Sequence, residues 1–227
     1  MTDRTPLANP AYAALLGPHA RLAQRSGNVL RYPVDVAPFA GLPAQPRPDD
    51  WADFAELIGP GGVAATAGVP ADPPDGWQVL RIIDTVQLAG DAIAGERDHE
   101  AITLGPGDVP EMLDLVARTQ PGPFLQRTVE FGGYLGIRQD GVLIAMAGER
   151  LKPPGWTEIS AVCTDPLFRG RGLASRLTLA VAAAIRARGD APFLHVAASN
   201  ITAIRLYESL GFRFCRTAPF VVAKAPS

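Results

Sequence analysis

Apolar and polar positions divide the chain into two stretches that meet near residue 100. In the first, apolar segments are short and interrupted. Leu15, Leu16, Ala20 and Ala23 fall on one side of a helix predicted over 11–24. Val29 to Tyr32 and Val34 to Ala37 read as strands separated by Pro33, and Gly41 to Asp50, with three prolines, as a loop. Asp49 or Asp50 caps a short helix running to Ile58. Val63 to Ala67 reads as a strand, Pro70 to Gly76 as a loop, and Trp77 to Leu88 alternates like one long strand.

The second stretch is more regular. Ala101 to Leu104 reads as a strand, and Asp108 with Glu111 opens a helix whose stripe is Met112, Leu115 and Val116. Tyr134 to Gln139 and Val142 to Leu151 flank Asp140-Gly141, a hairpin turn. Thr157 to Thr164 is a further strand. It leads to Arg169-Gly170-Arg171-Gly172, after which Leu173, Leu177, Ala180, Val181, Ala184 and Ile185 recur at helical spacing. Arg186, Arg188 and Gly189 end that helix. Phe193 to Ala197 is a strand. A helix from Ser199 or Asn200 to Gly211 carries Ile204, Tyr207 and Leu210, and Phe212 to Val222 is extended. Helices and strands in this order predict an α/β or α+β layer fold.

Composition narrows the function classes. The 227 residues are 47% hydrophobic and 19% charged, so the chain can bury a sizeable core. The formal net charge of -2 disfavours nucleic acid as a partner. No apolar run is long enough to span a membrane, and Met1 to Pro10 lacks a signal-peptide pattern, so a cytoplasmic location is expected. Cys163 and Cys215 make neither a disulfide framework nor a cysteine-only zinc site.

Three features carry chemistry. A glycine-rich turn between a strand and a helix leaves backbone N–H groups free at the positive end of the helix dipole, which suits phosphate. A tight turn alone would also need glycine. Asn200 and Tyr207, seven residues apart, share one helix face and form a site wall; separately they read as an N-cap and a packed aromatic. Glu158 lies on the strand entering the turn, sharing a face with Ser160, Val162 and Thr164. A carboxylate there is either used or held in a salt bridge.

These residues resemble the GNAT (Gcn5-related N-acetyltransferase) superfamily over about 102–218, roughly half of the chain. The acyl-CoA motif of Arg or Gln, two residues, Gly, one residue, then Gly or Ala falls on Arg169, Gly172 and Ala174. Phe193-Leu194-His195-Val196, Asn200, Ala203, Leu206-Tyr207-Glu208 and Leu210-Gly211-Phe212 resemble the second block. Gly133 to Leu151 and Glu158 to Ala174 further resemble the FR47-like branch, related to glycine N-acyltransferases. The resemblance implies a central mixed sheet flanked by helices. It places the catalytic domain at 99–227, with 1–98 as a separate region, a candidate degenerate half of the same kind.

It also implies acetyl-CoA as co-substrate, no metal, and an amine acceptor. The backbone of Val162, Cys163 and Thr164 would pair with the pantetheine arm in an opening between strands. Amides of Gly170, Arg171, Gly172, Leu173, Ala174 and Ser175 would hold the pyrophosphate. Asn200 would contact the cofactor, Tyr207 would act as acid near its sulfur, and Glu158 would be the base. The loops Gln120 to Thr128 and Lys152 to Trp156 would line the acceptor pocket, and the first 98 residues would shape that pocket or a homodimer contact. Two other readings stand beside this one. Cys163 with His195 could form a thiol hydrolase pair, or the protein could bind acyl-CoA without turnover.

Overall fold

The computed structural model describes residues 2–69 and 72–227. The first stretch contains α1 (Pro10–Leu16), β1 (Gln24–Ser26), β2 (Val29–Arg31), β3 (Phe39–Gly41), α2 (Pro48–Ile58), β4 (Val63–Ala67), β5 (Gln78–Ile83) and β6 (Thr85–Ala89). The second contains β7 (Ile102–Leu104), α3 (Val109–Thr119), β8 (Tyr134–Gln139), β9 (Val142–Glu149), β10 (Trp156–Thr164) and α4 (Leu173–Ala187). It ends with β11 (Ala191–Ala197), α5 (Ile201–Ser209), β12 (Arg213–Thr217) and β13 (Phe220–Lys224).

Two mixed sheets result, ordered β1-β2-β3-β4-β13-β5 and β12-β6-β11-β10-β9-β8-β7. Each contains one parallel pair, β3 with β4 and β10 with β11, flanked by antiparallel neighbours. The apolar faces of α4 and α5 pack on the second sheet through Leu177, Val181, Ile185 and Tyr207. Trp156, Phe193, Phe39, Leu30 and Phe220 join both sheets in one core. Each such fully buried large side chain contributes about 1.5–3 kcal/mol.

The sheets exchange strands. β6, from the first stretch, lies between β11 and β12, whereas β13, from the end of the chain, lies between β4 and β5. The runs 78–89 and 213–224 form one antiparallel ribbon, with Phe220 opposite Ile83 and Thr217 opposite Val86. The strand expected over Trp77 to Leu88 therefore divides at Asp84 and serves two sheets. A cut at 98/99 leaves each sheet without one of its strands.

Local chemistry explains other differences. The helix expected over 11–24 stops at Leu16, because Gly17 and Pro18 follow and Pro18 has no N–H to donate. Val34 to Ala37 is a turn rather than a strand: the Tyr32 N–H donates to the Phe39 carbonyl at 3.1 Å, closing the chain on itself. The short strand β3 ends on Gly41, the first residue of the expected 41–50 loop, and the last three residues of that loop already belong to α2. Pro70 and Ala71 of the expected 70–76 loop lie outside the described residues. Among the described residues no helix is long and apolar enough to cross a membrane, and no cluster of three metal-ligating side chains occurs.

Candidate active site

The site is a fork in the second sheet. β10 and β11 pair only through Trp156, Thr157 and Glu158, opposite Ala191, Pro192 and Phe193. Both strands continue, β10 to Thr164 and β11 to Ala197, without pairing. Between Ser160 and Cys163 the register against β9 slips by one residue, and Ala161 takes a left-handed φ of 52°. This bulge bends β10 away from β11. The opening is a cleft of about 710 Å³, within the range of small-molecule sites.

Every cofactor-binding residue expected from the sequence lines this cleft except Arg171. Val162, Cys163 and Thr164 form one wall, with His195, Val196 and Ala197 of β11 opposite. At the mouth, Gly170 (φ 78°) and Gly172 (φ 73°) make the turn into α4, where L side chains are strained. A Cβ on either glycine would meet open space. The first amides of α4, on Leu173, Ala174 and Ser175, have no acceptor one turn earlier and border the cleft. Arg169 donates to the Thr164 carbonyl at 3.3 Å. Arg171 turns the other way, to Gln139 at 3.2 Å, with its guanidinium 4.9 Å from the Phe168 ring centre.

The far wall is α5. Asn200 realises both of its readings: Oδ1 caps the helix by accepting from the Ala203 N–H at 3.1 Å, and the residue borders the cleft. Tyr207 is 9% exposed and borders the same space. Burial, and then the neighbouring Cys163 thiol, push its hydroxyl up to about 12, so it keeps its proton. Burial raises Cys163 to about 11 despite a hydrogen bond with Thr119. The Thr119 to Gly122 segment reaches the cleft, whereas the turn from Lys152 to Trp156 does not. Lys152 pairs with Glu149 at 2.7 Å, and the Trp156 indole N–H donates to the Asp3 carbonyl at 2.7 Å.

Glu158 was expected to face the cleft, and it stands behind the wall instead. It is 0% exposed. Arg150 grips both of its oxygens, at 2.9 and 2.6 Å, and His195 Nδ1 lies 2.6 Å from one of them. Burial alone would raise this carboxyl, but the Arg150 guanidinium and His195 overturn that and hold it well below the usual carboxylate range. The other nitrogen of His195, Nε2, faces Gln87 Nε2 at 3.1 Å. Both ring nitrogens are thus engaged away from Cys163, and the protonated thiol has no base. The hydrolase pair is not assembled. Arg150 and Gln87 were not singled out from the sequence. The only trace of the former is a charged pair, Glu149-Arg150, ending an apolar run.

A forked parallel pair with a glycine-turn helix at its mouth defines the layered fold of acyl-CoA N-acyltransferases. The family model described as FR47-like protein matches residues 134–221. A GNAT-family structure from Novosphingobium aromaticivorans is 41% identical, has a TM-score of 0.89, and is matched over 98% of this chain and 99% of its own. The chain belongs to the GNAT family of acetyltransferases. A mycothiol acetyltransferase from Thermomonospora curvata is 31% identical over 191 residues, 78% of this chain and 57% of its own length. N-alpha-acetyltransferase RimI from Mycobacterium tuberculosis is 37% identical over 83 residues, 35% of this chain and 51% of its own. The chain spans a little over half the length of the curated relatives it matches.

Proposed function

We propose that this protein transfers an acetyl group from acetyl-CoA to a primary amine by direct attack. The observation that carries the reading is that the strand fork and the open start of α4 border one cleft. The first can pair with an extended amide-bearing arm, and the second can hold phosphate. The two relatives carry different acceptors in their names, mycothiol chemistry in one and an α-amine in the other, and the α-amine of the second supports an amine acceptor here. The order of parallel and antiparallel pairs is the same around β3–β4 as around β10–β11. That supports reading the first 98 residues as a degenerate counterpart of the catalytic half, joined to it by the exchanged strands.

In the reaction the acceptor nitrogen bonds to the thioester carbon and the C–S bond breaks. An N–H of β10 near Val162, freed by the splay, stabilises the oxyanion. Tyr207 gives its proton to the departing thiolate, the nitrogen made cationic by attack releases one proton to solvent water, and Tyr207 regains one from the same solvent. The protonated Cys163 makes no covalent intermediate. Proton removal from the amine, expected of Glu158, needs a different source. A fully engaged carboxylate of low pKa is a poor acceptor near neutrality. In this reading the amine enters as its free base, of which an α-amine with a pKa near 7.7–8.0 holds roughly a tenth at pH 7. The rate at low acceptor concentration then rises with pH along the acceptor's own titration.

The test is free-thiol release from acetyl-CoA with amines, amino acids and peptides. Release that follows the pKa of each acceptor supports the reading. CoA binding with no turnover on any acceptor would leave a non-catalytic binding module, the second reading of the sequence.

A further inference from the structure

The buried polar chain under the fork does not end in the catalytic half. From Arg150 it passes through Glu158 and His195 to Gln87 on β6. The Gln87 side-chain amide also donates to the Leu7 carbonyl at 2.9 Å. The Arg150 guanidinium lies 5.0 Å from the ring centre of Phe39 on β3. Gln87 is 0% exposed and Phe39 is 4% exposed. Leu7, Phe39 and Gln87 all come from the first 98 residues, and none of them borders the cleft.

The geometry gives each bond a direction. Gln87 Nε2 is a donor, so His195 Nε2 accepts, and His195 Nδ1–H is left to donate to Glu158. The last backbone pair of the fork is Glu158 with Phe193, and His195 lies two residues further along β11. The Glu158–His195 bond therefore ties the strands just past the point where their backbones part. A buried bond of this kind is costly to leave unmade, so the ring stays where Gln87 and Glu158 hold it.

We propose that Gln87 is a positioning residue which, anchored on Leu7 and aided by Phe39 under Arg150, fixes where the fork opens. The N-terminal half thereby sets affinity for the acyl-CoA cofactor without touching it. This rests on the acetyl-CoA reading of the cleft.

The experiment is calorimetric titration with CoA, with a melting curve for each protein, on the full chain and on three variants. Gln87→Met keeps length and removes the donor. Phe39→Leu removes the ring beneath Arg150. Phe54→Leu is the comparison, since Phe54 is fully buried in a separate N-terminal cluster with Trp51 and Trp77. Well below their melting points, Gln87→Met and Phe39→Leu raise the Kd for CoA by about fivefold or more. Phe54→Leu loses melting temperature with Kd unchanged. Unchanged Kd in the folded Gln87→Met protein overturns the inference, as does an equal rise in Phe54→Leu. If Gln87→Met does not fold, Phe39→Leu decides on the same criteria. A parent protein that binds no CoA overturns the acetyl-CoA reading, and the inference with it.

Discussion

The molecule holds two strand–helix–strand units with parallel strands, β3–α2–β4 and β10–α4–β11, and treats their helix starts in opposite ways. α2 opens with Pro48-Asp49-Asp50. The Asp50 carboxylate is 1% exposed and folds back onto the start of the helix. It accepts from the Arg47 N–H at 2.8 Å and from the Asn28 amide at 3.0 Å. The positive end of the α2 dipole is thus neutralised from within. α4 has no acidic residue in its first turn and enters through two left-handed glycines. The same connection therefore yields a closed end in one unit and an open end in the other. Topology supplies a helix terminus in both units, and in α2 the carboxylate at the third position occupies it.

The deepest difference lies beneath the parallel pairs. β3 and β4 carry no charged side chain, whereas β10 carries Glu158. Replacing Glu158 by Gln leaves the Arg150 charge buried without its counter-charge, and a loss of about 3–5 kcal/mol in unfolding free energy is expected from urea melts. Parent-like stability, together with loss of an acid limb in the rate profile, would restore Glu158 as the base. Next in size, Gly172→Asp sets a carboxylate at the N-cap of α4, so that a negative charge stands at this helix start as one does in α2. The new side chain has space, and Asp tolerates the left-handed conformation better than most residues. CoA affinity should fall about a hundredfold, near 2.7 kcal/mol, by calorimetry. An unchanged Kd in the folded variant would end the phosphate assignment.

Tyr207→Phe separates catalysis from binding within the open unit. A thiolate of pKa near 8.5 needs only modest help to leave, so kcat should fall about tenfold at unchanged CoA affinity. A kcat within about twofold of the parent, with chemistry rate-limiting, would remove Tyr207 from the mechanism. The smallest effect belongs to the closed unit. Asp50→Asn should cost about 1 kcal/mol of stability and leave CoA binding as it was. A second CoA site in that variant would mean the carboxylate alone had kept α2 shut.

What the sequence revealed follows the range of the forces involved. The Asp140-Gly141 hairpin, the glycine turn and the stripes of α3, α4 and α5 depend on neighbours a few residues apart, and they were readable. Strand membership along 78–89 and 213–224 depends on partners more than a hundred residues away, so alternation could show extended chain but not the sheet it joins. Alternation likewise placed Glu158 on the face shared with Ser160 and Val162. It could not reveal that Arg150 and His195 stand between that carboxylate and the cleft. Arg171 was assigned through its place in the turn, yet its direction is set by Gln139 and Phe168, which the turn does not encode.

The exchanged strands also order events during synthesis. A ribosome releases residues 1–98 long before β13, yet β13 fills the place between β4 and β5. The Thr66 hydroxyl meets the Val221 carbonyl across 155 positions. Until that segment emerges, the nascent first sheet has two strands with their backbone groups facing an empty slot, the kind of edge that invites pairing with another chain. Its counterpart β6 waits as well, because its partners β11 and β12 are made late. Each sheet therefore gains its full set of strands only when the ribbon closes, a long-range pairing that cannot precede synthesis of the last segment.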